Sequence, residues 1–209
     1  PEDQNSCMRN AAPGSPPLSI LSFERSFHGR LFGSLSTTRS KALHKVDVPA
    51  FDWPVAPFPD VRYPMEQHED FNRAEEARCL DATAAIIREW RDKARPVAGV
   101  VVEPILAEGG DRHASPAFFR GLRGLAKENG AAFIVDEVQT GLGATGDMWA
   151  HEAWDLEDPP DFVTFSKKFQ TGGFYLRREL RPAEPYRVFN TWMGDPHKLV
   201  MLEAVLGAV

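Results

Sequence analysis

Three residues with reactive side chains each follow an apolar run of the sequence. Glu103 follows "VAGVVV", Asp136 follows "AAFIV", and Lys167 follows "FVTFS". A carboxylate near a lysine amine suits several chemistries: nucleotide hydrolysis, hydrolysis by paired carboxylates, or a lysine that holds a carbonyl cofactor as a Schiff base. The rest of the sequence discriminates among these three chemistries.

The first two chemistries leave part of this set unexplained. An apolar strand that ends in Asp136 and Glu137 imitates a Walker B segment, but the sequence has no G-x-x-x-x-G-K-[ST] loop to bind phosphate. Hydrolysis by Asp136 with Glu103 or Glu108 would give Lys167 no task. A Schiff-base enzyme that uses pyridoxal phosphate employs both residues, because Lys167 holds the cofactor and Asp136 keeps its pyridine nitrogen protonated.

These residues can meet only if the chain between them forms parallel β-α-β units. Hydrophobic periodicity predicts strands at 17–23, 97–104, 131–137 and 161–168, and helices at 74–94, 115–130 and, more briefly, 147–156. Ser115 and Pro116 are typical of a helix start, and Gly130 of a helix end. The stretch 35–70 is rich in proline and aromatic residues, so we expect an ordered, packed loop there.

This element order predicts an α/β fold with a mostly parallel sheet flanked by helices. The carboxyl ends of parallel strands meet at one edge of the sheet, where such folds bind ligands. Strand ends that carry both acids and a lysine could form only a salt-bridge network. The glycine-rich turns "TGLGATG" and "QTGG" beside them favour a ligand site instead.

The composition argues against nucleic-acid and membrane partners. Of the 209 residues 43% are hydrophobic and 26% charged, as in a soluble globular protein, and the net charge of -6 does not attract phosphate backbones. No apolar run approaches the roughly 20 residues that span a bilayer. Cys7 and Cys79 fit neither a disulfide framework nor a zinc pattern, so we expect no metal.

Several short motifs of the sequence resemble those of the class III pyridoxal-phosphate aminotransferases. They are "SFHGR", "FDWPVAPFP", "VVEPILAEGGDRHAS", "VDEVQTGLGATGDMWAHE", "TFSKK" followed by "TGG", and "RVFNTWMGDP". The motifs that are more specific than the class pattern are similar to those of eukaryotic members of the family that act on 4-aminobutyrate. The resemblance implies a fold-type I transferase, with 1–16 as an irregular segment and 17–209 as an incomplete large, cofactor-binding domain.

The resemblance also implies how pyridoxal phosphate would be held. Lys167 would form the Schiff base and move the proton during transamination, and Asp136 would pair with the pyridine nitrogen. Gln139 would lie beside the phenolic oxygen of the ring. Val138 would pack on one face of the ring and Phe27 on the other.

Further residues carry implied roles around the cofactor. His28 would support the site, and Arg30 would bind the substrate carboxylate through its guanidinium group. Glu108 would be an acidic gate that pairs with an arginine far along the family sequence. Thr191 would reach the cofactor phosphate across a dimer interface. Without the resemblance, Arg30 would be interpreted as a surface arginine and Thr191 as a loop threonine.

The tandem Lys167-Lys168 leaves the identity of the reactive lysine open to two alignments. "TFSK" matches the "TFAK" of relatives with a single lysine, which selects Lys167. Counting back from the glycine pair selects Lys168. The first alignment is favoured.

The implied reaction moves the amino group of 4-aminobutyrate to 2-oxoglutarate, giving succinate semialdehyde and glutamate, in a homodimer inside the cell. The mitochondrial matrix is favoured over the cytosol. Family members are about twice as long and the first residue is not Met, so we expect an incomplete copy that by itself binds cofactor poorly. The alternatives are an inactive fragment that retains a dimerisation surface, or an aminotransferase of the ornithine or acetylornithine type.

Overall fold

A computed structural model describes residues 2–209 and contains one six-stranded sheet with helices packed against it. The strands are β1 (Ser19–Phe23), β2 (Val55–Ala56), β3 (Val97–Val102), β4 (Ala132–Asp136), β5 (Phe162–Phe165) and β6 (Gly173–Leu176). Their order across the sheet is β2-β1-β3-β4-β5-β6. Neighbouring strands from β2 to β5 are parallel, and β6 pairs with β5 antiparallel. The prediction of a mostly parallel α/β sheet is therefore confirmed.

In the described part of the chain, five α-helices connect or flank the strands. They are α1 (Glu2–Cys7), α2 (Phe32–Thr37), α3 (Glu69–Asp92), α4 (Pro116–Glu128) and α5 (Pro196–Leu206). Helix α4 begins as predicted, because the Ser115 hydroxyl accepts a hydrogen bond from the Phe118 amide at 3.3 Å and Pro116 occupies the first turn. Helix α3 starts at Glu69, before the predicted residue 74.

Three segments differ from the structure that the sequence predicted for them. Residues 1–16 are not irregular throughout, because α1 forms there with acidic Glu2 and Asp3 in its first turn, where the helix dipole favours negative charge. The stretch 35–70 contains the short strand β2, which extends the sheet beside β1. The predicted helix at 147–156 is a 3-10 helix over Ala150–Trp154.

The core lies between the sheet and helices α3 and α4. Its buried aromatic rings include Phe23, Phe118, Phe119 and Phe133, and the Phe119 ring stacks on Trp154 with centroids 3.9 Å apart. The same cluster contains aliphatic residues of β1, β3 and β4, as expected for strands buried on both faces. Within residues 2–209 no helix is both long enough and apolar enough to cross a membrane.

An ionic cluster lies at the amino ends of β4 and β5, on the side of the sheet opposite their carboxyl ends. Buried Arg123 of α4 donates to Asp161 at 2.7 Å and to Asp158 at 2.8 Å. Asp161 also accepts the Phe133 amide at 2.7 Å, which ties the start of β4 to the residue preceding β5. Buried charges remain stable when they are paired and hydrogen-bonded in this way. The cluster thereby fixes the start of β5. Through this strand it also fixes the position of Lys167, which follows the end of β5.

Candidate active site

The carboxyl edge of the sheet contains a cavity of about 110 Å³. It is lined by Phe27, His28, Gly29, Glu103, Ala107, Glu108, Asp136, Val138, Gln139 and Lys167. The structure thus brings together most of the residues that the sequence nominated. Arg30 and Thr191 do not line this cavity, and Glu103 lines it although the family resemblance implied no role for it.

Asp136 is the last residue of β4 and is only 8% exposed. Its Oδ2 accepts a hydrogen bond from His28 Nδ1 at 2.8 Å. Its Oδ1 accepts from the Val138 amide at 3.1 Å and from the Thr164 hydroxyl at 3.0 Å. Burial alone would raise the pKa of Asp136, but the hydrogen bonds and the charge of His28 outweigh it and lower the pKa below its ordinary value. The carboxyl group is therefore ionised at neutral pH.

The second ring nitrogen of His28 is buried without a hydrogen-bond partner among residues 2–209. Because Nδ1 bonds to Asp136, Nε2 is the ring nitrogen that remains for a hydrogen bond with another group. A buried polar atom without a partner is uncommon in folded proteins and often marks a site. His28 thus both holds Asp136 and presents an unused polar atom close to the cavity.

The two tandem lysines have different surroundings. Strand β5 ends at Phe165, before the predicted residue 168, and Lys167 begins a 3-10 turn (Lys167–Phe169) with a left-handed φ of 51°. Such backbone angles are costly for a residue with a side chain and cluster at functional sites. The Lys167 amine donates to Gln139 Oε1. The Lys168 amine donates to the Leu142 carbonyl oxygen at 2.7 Å, so that Lys167, and not Lys168, lines the cavity.

Glu103 directly follows β3 and is 5% exposed. Its Oε1 accepts the Phe27 amide at 2.7 Å. Burial raises the pKa of Glu103 to about 7, against the opposing effects of His28 and the Phe27 amide. Its position directly after an apolar run had already predicted that it lies beside Asp136 and Lys167, and the structure places it in the lining of the same cavity.

Phe27 and Val138 both line the cavity with apolar surface. The Phe27 ring makes an edge contact with His44, with centroids 5.2 Å apart, and its backbone is held by Glu103. Val138 follows Asp136 closely in the turn after β4 and donates its amide to that carboxylate. Both positions are therefore fixed by the same acids that shape the polar side of the cavity.

The remaining nominated residues lie at or beyond the rim. Glu108 lines the cavity and pairs with Lys41 at 2.8 Å, and this hydrogen bond lowers the pKa of the Glu108 carboxyl group. Arg30 is exposed in the turn before α2. Thr191 is exposed in the segment between β6 and α5, away from the cavity. The structure does not bring Arg30 or Thr191 to the site within this chain.

The lining residues fit the ring portion of pyridoxal phosphate. Asp136 offers an anionic oxygen that receives one donor, which suits a protonated ring nitrogen, and Lys167 offers a primary amine. Gln139 is a polar partner, and Phe27 and Val138 provide apolar faces. None of the residues that line the cavity is serine, threonine or arginine, the usual phosphate ligands. Within residues 2–209 no group of three or more His, Cys, Asp or Glu side chains could hold a metal ion.

The sequence is similar to known aminotransferases along its whole length. The family model described as Aminotransferase class-III matches residues 4–209. The chain is 59% identical over 209 residues to 4-aminobutyrate aminotransferase from Dictyostelium discoideum, covering 100% of this chain and 42% of the relative. It is 56% identical over 208 residues to the mitochondrial 4-aminobutyrate aminotransferase from Homo sapiens, again covering 100% of this chain and 42% of the relative.

Solved structures share the fold. Lysine aminotransferase from M. tuberculosis has a TM-score of 0.76 and 33% identity, covering 98% of this chain and 46% of that chain. An omega-transaminase from Thermomicrobium roseum has a TM-score of 0.79 at 21% identity, covering 99% of this chain and 48% of that chain, and this likeness concerns the fold alone. The chain thus spans less than half the length of the proteins that it matches.

Proposed function

The chain belongs to the class III aminotransferases, and from this premise we propose that it forms part of an enzyme that transfers the amino group of 4-aminobutyrate to 2-oxoglutarate. The products are succinate semialdehyde and glutamate, and the cofactor is pyridoxal phosphate. The convergence of Lys167 and Asp136 on one cavity carries the proposal. The 59% identity to a 4-aminobutyrate aminotransferase supports the choice of substrate over ornithine-type donors.

Pyridoxal phosphate, when bound, supplies an electrophilic carbon for the amine and a ring that accepts electrons from the substrate. Asp136 would hold a proton on the ring nitrogen, because its lowered pKa keeps the carboxyl group anionic at neutral pH. His28 maintains the orientation of Asp136 through the 2.8 Å hydrogen bond. This pair keeps the negative charge in place, which is the protein's main electrostatic contribution.

Lys167 would hold the cofactor through its Nζ, and the same amine, once freed, would act as the base that takes a proton from the substrate carbon and as the acid that returns it in a 1,3-transfer. The contact between this amine and Gln139 Oε1 restrains the lysine beside the position of the ring. Restraint of a reacting group at the right distance lowers the entropic part of the barrier. Phe27 and Val138 exclude water from the faces of the ring.

The substrate carboxylate and the cofactor phosphate would be held by residues outside the cavity lining. Arg30 binds the substrate carboxylate, since a guanidinium group matches a planar carboxylate in two parallel hydrogen bonds. Glu108 gates the same region, with Lys41 as its partner within this chain. Thr191 serves the phosphate of a second subunit, in a homodimer, which agrees with its exposed position in this chain.

The proposed compartment is the mitochondrial matrix. The relatives from Homo sapiens and Mus musculus are named mitochondrial and are each 56% identical to this chain. Fractionation of cells that express the complete protein tests this assignment. Co-sedimentation with a matrix marker is expected, and recovery in the cytosolic fraction alone would contradict it.

The decisive experiment uses the full-length protein that contains this chain. We expect 4-aminobutyrate to be a better donor to 2-oxoglutarate than ornithine or lysine, as measured by kcat/KM. Lys167→Ala is expected to lower kcat by roughly 10³-fold, within the range for loss of a proton-transferring residue. Lys168→Ala is the matched control and should retain most of the activity. Equal loss in both variants, or full activity of Lys167→Ala, would refute the assignment of the reactive lysine.

A further inference from the structure

Glu137 is a fully buried acid that the proposed reaction does not use. It is 0% exposed and is absent from the cavity lining, although it directly follows Asp136. Burial of an acidic side chain costs several kcal/mol unless its oxygens are paired. Its retention beside the site therefore calls for partners and for a task.

The partners of Glu137 lie at both ends of the turn that follows β4. One carboxylate oxygen, Oε1, accepts the His151 amide at 2.9 Å and His151 Nδ1 at 2.8 Å. The other, Oε2, accepts the Thr140 hydroxyl. The Glu137 side chain thus closes residues 137–151 into a loop, which we call the clamp loop. Val138 and Gln139, which line the cavity, lie inside it.

The clamp loop packs against the turn that carries the two lysines. The Lys168 amine donates to the Leu142 carbonyl at 2.7 Å. The Phe169 ring stacks on Trp149 with centroids 5.3 Å apart and an interplanar angle of 17°. Gly141 lies against both rings, and a Cβ there would come within 3.1 Å of an atom of each ring. The two turns therefore fit closely, and a shift of one moves the other.

These contacts hold the amines of the two adjacent lysines in different places. Lys167 reaches Gln139 inside the clamp loop and lines the cavity. Lys168 is held to Leu142, on another part of the same loop. If the loop were released, Lys168 would lose its fixed acceptor and Lys167 would lose its fixed amide partner. The clamp loop is thus placed to discriminate between two adjacent and chemically identical amines.

We propose that Glu137 and His151 are positioning residues which, by closing the clamp loop, present Lys167 to the cofactor and hold Lys168 away from it. The inference rests on the proposed function, in which a lysine at this turn attaches pyridoxal phosphate. Glu137 and His151 act through Gln139 and Leu142 and do not touch the reacting atoms.

The test uses the full-length protein with four variants. His151→Ala and Glu137→Gln weaken the clamp, and His151→Asn retains a side-chain N–H donor near the position of Nδ1. Glu152→Gln is the matched control, because Glu152 caps the same 3-10 helix through the Trp149 amide at 3.1 Å but is exposed. Should Glu137→Gln fail to fold, Thr140→Val replaces it, since it removes one donor to Glu137 at nearly constant volume.

Two readouts other than activity decide the proposal. The first is hydrogen exchange of the cofactor-free protein, in which the amides of 138–150 should exchange roughly tenfold faster in His151→Ala while those of β3 and β4 are unchanged. The second is the site of cofactor attachment. The lysine amine and the cofactor aldehyde form a C=N bond with loss of water, borohydride delivers a hydride that reduces this bond to a stable amine, and peptide mass spectrometry identifies the lysine.

In the wild-type protein we expect the label on Lys167. In His151→Ala and Glu137→Gln the share of label on Lys168 should rise about fivefold, the change that corresponds to loss of one hydrogen bond. His151→Asn should restore most of the Lys167 label, and Glu152→Gln should match the wild type. A variant that is destabilised but keeps both the wild-type exchange pattern and the wild-type label distribution would overturn the proposal.

Failure of the clamp is distinguishable from failure of the proposed function. If neither lysine of the wild-type protein is labelled, the proposed function is wrong, and a lysine-selecting clamp is wrong with it. If Lys167 is labelled and transamination is normal, but the clamp variants shift neither exchange nor label, only the clamp is wrong.

Discussion

At the scale of single residues, the surroundings of two acids at one sheet edge shift their pKa values in opposite directions. The donors around Asp136, above all His28, lower its pKa in spite of burial, whereas burial raises the pKa of Glu103 to about 7. An active site that needs a permanent anion beside a group that can carry a proton requires two acids with different pKa values. Asp136 suits the anion, and Glu103 is partly protonated at neutral pH.

Glu103 should make the stability of the protein depend on pH. Its folded-state pKa of about 7 exceeds the ordinary value of 4.5, so the folded state holds a proton that the unfolded state releases between these values. The free energy of unfolding should therefore fall as pH rises through this window, by roughly 2 to 3 kcal/mol at 1.36 kcal/mol per pH unit. Glu103→Gln should abolish this slope.

Urea unfolding of wild type and Glu103→Gln at pH 5 and pH 8 measures the effect. The exposed Glu66 offers a matched control, because Glu66→Gln removes an acid from solvent without touching the cavity. Parallel pH profiles for the wild type and Glu103→Gln would show that the Glu103 carboxyl group ionises normally in the folded protein.

At the scale of elements, helix α4 shows how a local sequence signal is reinforced by tertiary contacts. Ser115 accepts the Phe118 amide at 3.3 Å, as its N-cap position predicts. Its hydroxyl also donates to Glu76 Oε2 at 2.6 Å, and its amide donates to Glu76 Oε1 at 2.7 Å. Glu76 belongs to α3, so that the cap of one helix fastens it to the other. The contact is reinforced by the close approach of α3 at Gly121, where a Cβ would come within 2.7 Å of Leu80.

Ser115→Ala should destabilise the chain by about 1 to 2 kcal/mol. It removes an amide acceptor and also leaves buried Glu76 with one donor fewer. Ser115→Thr keeps the hydroxyl and should stay within about 0.5 kcal/mol of the wild type. Chemical denaturation of the three proteins compares them, and equal stability of Ser115→Ala and the wild type would exclude the proposed link between the helices.

At the scale of the whole molecule, the surface of this chain is unusually apolar around its last third. Trp192 is 77% exposed, Tyr186 81%, Phe189 62% and Tyr175 59%. Strand β6 also forms an edge of the sheet, and within residues 2–209 no further strand pairs with its outer side. Exposed apolar patches and free strand edges favour association with other protein surfaces.

We therefore expect the 209-residue chain, prepared by itself, to self-associate and to bind pyridoxal phosphate weakly. Without serine, threonine or arginine in the cavity lining, its affinity should be roughly 100-fold below that of the full-length protein, equivalent to one or two charged hydrogen bonds. Sedimentation velocity and cofactor titration measure both properties. Normal transamination by the isolated chain, or a strict monomer at all concentrations, would contradict this expectation.

The sequence predicted the elements that local pattern controls. Continuous apolar runs identified β3 and β4, and Ser115 with Pro116 fixed the start of α4, because hydrophobic periodicity and capping depend on neighbouring residues. The order of strands and helices then sufficed to bring Asp136 and Glu103 to one edge, since parallel β-α-β units align their strand ends. Membership of the aminotransferase family followed from the short motifs and is confirmed by the match over residues 4–209.

The roles of individual site residues stay predictions, and several placements required the tertiary structure. The early end of β5 depends on the left-handed backbone at Lys167, which no local pattern indicated. The different surroundings of Lys167 and Lys168 arise from contacts with Gln139 and Leu142, which are distant in sequence.

What the sequence determined by itself is therefore the family, the α/β fold and the set of reactive residues at the sheet edge. The tertiary structure decided which lysine lines the cavity, that His28 holds Asp136, and that Glu137 closes the loop with His151. The physical reason is that side-chain periodicity is a local property, whereas hydrogen bonds between turns depend on how separate segments pack in three dimensions.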